Sequence, residues 1–370
     1  MKRILITGGA GFIGSHLADE LLEKGYEVRV LDNLCEQVHG KHCKRPEYLN
    51  PDVELFVGDV RNPEDVEDAL HGVDAVYHYA AMVGVGQSMY EIKNYTDVNN
   101  IGTAVLLEAL SKSPVEKLIV ASSMSIYGEG LYKDQTGAVK AGQERKIDQL
   151  RAAKWELMDK DGNELRPYPT PEFKTPQLSS VYALSKYDQE RLCLMIGKAY
   201  NIPTVALRFF NVYGTRQALS NPYTGVLAIF ASRLLNNNSP LIFEDGNQKR
   251  DFVSVLDIAR ASRLALETPE AADEVFNIGS GNSYTINEIS EKLSSILGKK
   301  INATITGKYR VGDIRHCYSD INKAKTILKY EPQVSLEEGL IELSIWLKNQ
   351  KAEDKVGEAS RELAARGLTV

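Results

Sequence analysis

The chain has 370 residues, 43% of them hydrophobic and 25% charged, which is enough for one large globular unit or two fused ones. A formal net charge of −6 offers no basic stripe to neutralise phosphates, so nucleic acid is excluded as a partner, while local arginines leave an anionic small molecule open. Cys35, Cys43, Cys193 and Cys317 include no CxxC pair and give no disulfide framework, as in a reducing compartment. The apolar run at 4–7 is too short for a signal-peptide core, and no window approaches the roughly 18 apolar residues of a membrane span. The expectation is a cytoplasmic protein with no membrane partner. In chain order, short apolar runs predict strands at 4–7, 27–32, 54–58, 75–78 and 118–122, with helical patterns near 15–24, 63–70 and 98–111. A long amphipathic helix at 181–200 and a buried strand at 204–209 continue the alternation. Such repetition predicts an α/β fold, a doubly wound parallel sheet covered on both faces. Residues 131–177, rich in charge and proline, interrupt it without a core strand, and read as an insertion over a surface, with the length of a lid. The tail at 352–370 predicts a final helix that either docks or frays.

Gly8-Gly9-Ala10-Gly11-Phe12-Ile13-Gly14 follows the first strand and opens the first helix. One glycine makes the turn, one lets backbone approach a pyrophosphate, and one lets helix and strand pack closely. The diphosphate then meets unpaired N–H groups at the positive end of the helix. Asp32 ends the second strand, where its carboxylate can accept from ribose hydroxyls and would repel a 2′-phosphate, which selects NAD over NADP. The GxxGxxG spacing resembles the extended short-chain dehydrogenase/reductase superfamily, and implies a Rossmann-type sheet with a smaller mixed α/β substrate domain. Within that resemblance Gly8, Gly11, Phe12, Ile13, Gly14, Asp32 and Asn33 bind the cofactor, Asp59 and Val60 frame the adenine, and Ala80 and Ala81 line it. His78 reads as a packed strand-end residue.

Tyr182 and Lys186 lie one helical turn apart on one face. A phenol is a poor base at neutral pH, and a nearby cation favours its ionised form. Lys186 can also hold the nicotinamide ribose. Ser123 ends the fifth predicted strand, at the carboxyl edge where ligands of open α/β sheets bind. The resemblance makes Ser123, Tyr182 and Lys186 catalytic, with Tyr182 and Lys186 also on the cofactor. Asn99 completes the set as a cofactor-binding residue in the preceding helix.

Three later segments are similar to those that nucleotide-sugar epimerases and dehydratases place against their substrate: Arg208–Gly214, Asp245–Val253 and Tyr309–Asp313. The resemblance puts Asn211, Arg250 and Arg310 on the diphosphate, Asp313 on the nucleotide ribose and Ser125 beside the sugar. Guanidinium groups suit phosphate because they offer forked donors and stay charged. The partner implied is a nucleotide-diphosphate sugar, and the reaction a 4-epimerisation through a transient 4-keto sugar. A 4,6-dehydratase needs an acid and a base after the position of Ser123, where this chain has Met124-Ser125. A nucleotide-glucuronate decarboxylase is disfavoured similarly. A non-catalytic NAD-responsive regulator would be expected to lose Tyr182 or Lys186, and both are kept. The segments at 84–90 and 221–226 and the long insertion look similar to bacterial dTDP-L-rhamnose 4-epimerases, with UDP-glucose or UDP-glucuronic acid 4-epimerases the alternative. The family pattern implies an NAD-binding domain at 1–187, to which strands near 204–210 and 274–278 return. It also implies an interleaved substrate-binding domain at 188–350, a helical tail at 351–370 and a homodimer. The loop bearing Cys35, His39, His42 and Cys43 has irregular spacing, and no metal is expected.

Overall fold

The computed structural model of the protein describes residues 2–369. Seven parallel strands form its central sheet: β1 (Arg3–Thr7), β2 (Glu27–Asp32), β3 (Glu54–Val57), β4 (Ala75–His78), β5 (Lys117–Ser123), β6 (Thr204–Phe209) and β7 (Val275–Ile278). Their spatial order is β7-β6-β5-β4-β1-β2-β3. The longer helices are α1 (Phe12–Glu23), α2 (Pro63–Leu70), α3 (Gly102–Lys112), α4 (Val181–Ala199), α5 (Val226–Leu235), α6 (Val255–Glu267), α7 (Ile286–Ile296), α8 (Leu336–Leu347) and α9 (Val356–Ala365). Side chains alternate across the sheet. Ile4 and Ile6 join Leu17, Leu21, Ile258 and Ala265 on the α1/α6 face, and Leu5 joins Val66, Leu106 and Cys193 on the other. Because both faces are covered, the strands read as continuous apolar runs. The order reverses between β1 and β4, which opens a crevice at their carboxyl ends.

A separate core gathers Leu227, Phe230 and Leu234 of α5 with Ile289 and Leu293 of α7 and Leu340, Leu343 and Leu347 of α8. Both α7 and α8 start on full capping boxes, Thr285 with Glu288 and Ser335 with Glu338. No helix among the described residues is long and apolar enough to cross a membrane.

Two expectations need correction. The helix read at 98–111 is split: a wider π-helical turn spans Thr96–Ile101 and α3 begins at Gly102. Gly102 is pressed so close to Val60 that a Cβ would lie 2.7 Å from its Cγ2. The insertion at 131–177 has no core strand, yet it is not loose. Its segments Leu131–Lys133, Val139–Ala141 and Arg166–Tyr168 pair into a small antiparallel sheet. Buried charge then fastens it to the body. Arg145 donates to Glu244 at 2.8 Å, and the fully buried Arg315 reaches Glu244 at 2.8 Å, Asp245 at 2.6 Å and Glu156 of the insertion. The His316 ring lies 2.9 Å from Glu156, whose carboxyl burial alone would raise; bonds from His316 and Arg315 bring it instead to about 2. At the other end, α9 docks, with Ala359 and Leu363 buried.

Candidate active site

A cavity of about 750 Å³ runs from the β1/β4 crevice across to the second core. Its floor at one end is the glycine turn. Gly8 has φ +69°, and a Cβ there would lie 2.8 Å from the Ala80 backbone. At Gly14 a Cβ would lie 2.5 Å from the Gly9 Cα, so helix and turn touch through backbone. Gly11 differs: an added Cβ would meet only the Gly8 oxygen at 3.4 Å. It sits at the N-cap of α1, without a side-chain cap, so the first-turn amides are uncapped on the cavity wall where Gly11, Phe12, Ile13 and Gly14 lie. Asp32 lines the same end; its carboxylate accepts from the Ala10 and Leu34 amides at 3.0 and 2.9 Å. Asn33 donates to Asp59 at 3.1 Å, and the bond from Arg61 to Asp59 is the main reason its carboxyl falls to about 2. Val60, Ala80 and Ala81 complete this sector.

Ser123, Tyr182 and Lys186 reach the cavity together from the end of β5 and the first turns of α4. Ser180 caps α4 by accepting from the Ala183 amide, and the Tyr182 amide donates to Ser88 Oγ at 3.0 Å. Burial pushes the Tyr182 phenol up, and a hydrogen bond with Ser123 offsets part of the rise. The Tyr182 ring meets Tyr95 edge-on. Lys186 is buried, which lowers its ammonium to about 8, and it donates to Gln189 Oε1 at 2.7 Å. Gln189 in turn donates to Thr103 Oγ1 at 2.9 Å. His78 is buried between Thr7 and Thr103 at 2.9 and 2.8 Å; burial first, then Lys186, hold it to about 3, so it stays neutral.

Asn99 is the departure. Its side chain is fully buried and is not on the cavity wall. Its amide accepts from the Met82 N–H at 2.7 Å and donates to the Met82 carbonyl and to Ser185 Oγ at 3.1 and 2.9 Å. Both ends of the amide are thus engaged, with one acceptor site of Oδ1 left over. It ties the loop after β4 to α4.

At the far end Ser125, Asn211, Arg250, Arg310 and Asp313 share the cavity wall. The Asn211 Oδ1 is buried without a hydrogen-bond partner, and so are the Oε1 atoms of Gln217 and Gln248, which line the same region. Unpaired buried acceptors are costly, and three around one cavity mark a place for a ligand rich in donors. Arg250 donates to the carbonyls of Lys249, Arg315 and Ile314, which fix its guanidinium. Arg310 pairs with Asp313 at 2.9 Å and lies over the Phe243 ring. Gln217, Phe243 and Gln189 escaped the sequence reading. Only Gln189 left a signal, one turn beyond Lys186 on the same helix.

No residue of 131–177 lines the cavity, so the insertion does not cover it, whereas α9 supplies Val356, Ala359, Ser360 and Leu363. Among the described residues no three His, Cys, Asp or Glu side chains are grouped to hold a metal, and His39 lies instead 3.7 Å from Asp32.

This fold and cavity define a dinucleotide-dependent enzyme, and residues 4–154 and 161–279 match the NAD dependent epimerase/dehydratase family, to which the chain belongs. It is 35% identical over 359 residues to dTDP-L-rhamnose 4-epimerase of Burkholderia thailandensis, covering 94% of this chain and 96% of that one. UDP-glucose 4-epimerase of Thermotoga maritima, solved with UDP-glucose, is 34% identical with a TM-score of 0.76, covering 94% and 98%. UDP-glucuronic acid 4-epimerase of Bacillus cereus, solved with UDP-glucuronic acid and NAD, is 31% identical with a TM-score of 0.76, covering 94% and 99%. The cofactor of the family is NAD, and the uncapped helix end above the open face of Gly11 fits its pyrophosphate.

Proposed function

We propose that the protein is an NAD-dependent nucleotide-diphosphate-sugar 4-epimerase, and that its substrate pair is dTDP-L-rhamnose and dTDP-6-deoxy-L-talose. The observation that carries the reading is the shared cavity. Ser123, Tyr182 and Lys186 stand between a glycine turn on one side and Asn211, Arg250 and Arg310 on the other. Gly8, Gly11, Phe12, Ile13, Gly14, Asp32, Asn33, Asp59, Val60, Ala80 and Ala81 would hold NAD, with Tyr182 and Lys186 against its nicotinamide ribose. When bound, NAD supplies reversible hydride acceptance at the sugar C4.

Tyr182 takes the 4-hydroxyl proton and later returns it, with Ser123 bonded to the phenol as the adjoining relay. The Lys186 ammonium, on the same cavity wall, would favour the ionised phenol against the burial that opposes it. Arg250 and Arg310 hold the diphosphate, Asn211 bonds it, Asp313 meets the nucleotide ribose and Ser125 faces the sugar. With the nucleotide held, the 4-keto sugar would be free to turn about its diphosphate linkage and present its opposite face to the bound cofactor.

Two features support the choice of reaction and sugar. The carboxylates on the cavity wall are Asp32, Asp59 and Asp313, and none follows Ser123, so elimination of water across C5 and C6 lacks its acid and base. The cations there are Arg61, Lys186, Arg250 and Arg310. Arg61 is paired with Asp59 and Lys186 with Gln189, and the other two serve the diphosphate. None is spare for a uronate carboxylate, which favours a neutral sugar. UDP-glucose remains the second reading, on the likeness to the Thermotoga enzyme.

The chain would be divided into an NAD-binding part at 1–187, a substrate-binding part at 188–350 and the tail. The four free thiols suit a cytoplasmic enzyme. A homodimer through α4 and the turn that leads into α3 is supported by the exposed Ile101, Leu184 and Met195, and light scattering at twice the chain mass is its test. The activity is tested by incubating the protein with dTDP-, UDP- and GDP-sugars and resolving the products by NMR. Inversion at C4 of dTDP-L-rhamnose without added cofactor or accumulated absorbance near 340 nm is the expected result. Loss of water, or no change in any sugar, would sink it.

A further inference from the structure

We infer that the C-terminal segment from Glu353 to Thr369 is a strap that completes the substrate end of the cavity and positions Arg310 for its ligand. This rests on the reading of that end as a nucleotide-sugar site. Three independent contacts define the strap. Its start is fastened to α5, where Asp354 pairs with Arg233 at 3.1 Å. Its helix crosses the cavity, with Leu363 packed on Gly86 and the Arg366 guanidinium over the Tyr90 ring. Its end pairs with the stretch that carries Arg310: the Val311 amide donates to the Leu368 carbonyl at 3.0 Å, and Arg310 forms an isolated antiparallel bridge with Thr369.

The loops so joined are the ones that frame the substrate end. The 84–90 loop carries Ser88, which accepts from the Tyr182 amide, and Tyr90, whose hydroxyl lies 2.5 Å from that of Tyr223. Arg310 rides on an irregular stretch at 306–315 that has one two-residue edge of regular pairing before it, Thr304–Ile305. Without Leu368 and Thr369, residues 310 and 311 lose their backbone partners, while Lys308 still accepts from the Glu244 amide at 2.7 Å, so the turn that carries the Arg310–Asp313 pair must be ordered at each binding event. Ordering a loop and a long side chain on binding costs affinity without touching the chemistry. The strap therefore acts as a positioning element through Arg310, with an apolar wall at Leu363 beside the loop that supports Tyr182.

The test compares the full chain with a deletion from Glu353 onward and with Leu363→Asp, which keeps the backbone should the deletion fail to fold. Binding of dTDP and of UDP is measured by calorimetry, and NAD content by chromatography after denaturation. The expected result is a loss of about tenfold in nucleotide affinity with NAD content unchanged. Adding Arg310→Ala to the deletion then costs much less than Arg310→Ala costs in the full chain, because the two changes remove one interaction. Equal or tighter nucleotide binding by both variants overturns the strap, and so does full additivity with Arg310→Ala. A full-length protein that binds neither dTDP nor UDP overturns the nucleotide-sugar reading itself, which is a different failure.

Discussion

Burial works against the charged form of both Tyr182 and Lys186: it raises the phenol and lowers the ammonium to about 8. Tyr182→Phe removes the proton carrier while leaving the ring packed edge-on against Tyr95, so kcat should fall by about 10²–10⁴ with NAD content and melting temperature nearly unchanged. Retained turnover in NMR exchange would exclude Tyr182 as the acid/base. The lysine predicts a pH limb. Below about pH 8 it is protonated and favours the phenolate, and above that it loses its charge, so kcat/KM should decline on the alkaline side. Lys186→Met should lack that limb at a much lower rate; an unchanged profile shape would remove Lys186 from the titration. These residues were legible because a turn, a strand end and one helical turn are local spacings. Gln217 and Gln248 were not, since their unpaired acceptors exist only once distant segments meet. Nor could local spacing show that the Asn99 amide bonds Met82 and Ser185.

At the scale of elements, hydrophobic period placed the strands of the sheet within a residue of their ends, because strands covered on both faces must be apolar along their length. The insertion lacked such a signal because charge fastens it. Arg315 is fully buried among Glu244, Asp245 and Glu156, and nothing in a list of polar residues distinguishes a buried network from a solvated loop. Breaking such a network by removing one partner leaves uncompensated charge. Arg315→Met should therefore cost about 3–5 kcal/mol of stability in denaturant titration, far beyond a surface ion pair. Glu156→Gln should cost less, as it retains a bond to His316. A loss within experimental error for Arg315→Met would mean that the insertion is held by other contacts.

Burial lowers His316 as well as two histidines that it keeps neutral well below their ordinary value, and such groups give the molecule an acid limit set by folding. His78 is held to about 3 by burial, and His16, between Phe12 and Thr215, to about 4 by the same cause. In the unfolded chain each binds a proton near its ordinary value of about 6.5. Above that pH neither state is protonated and the two groups leave stability unaffected by pH. Between 6.5 and 4 the unfolded chain holds protons that the folded one refuses, so stability falls as the pH is lowered. The loss is about 2 kcal/mol per histidine on going from pH 6.5 to 5, at roughly 1.4 kcal/mol per unit. Glu172, raised by burial, works the other way and offsets part of the fall. His78 joins β4 to the Lys186 network through Thr7, Thr103 and Gln189, so charging it also opposes the Lys186 ammonium. Denaturant unfolding at pH 7.5, 6 and 5 should show the decline, and His78→Gln, which can still bond Thr103, should make it shallower. The same slope in His78→Gln as in the parent chain would show that this histidine titrates alike in both states, and would put the acid limit elsewhere in the fold.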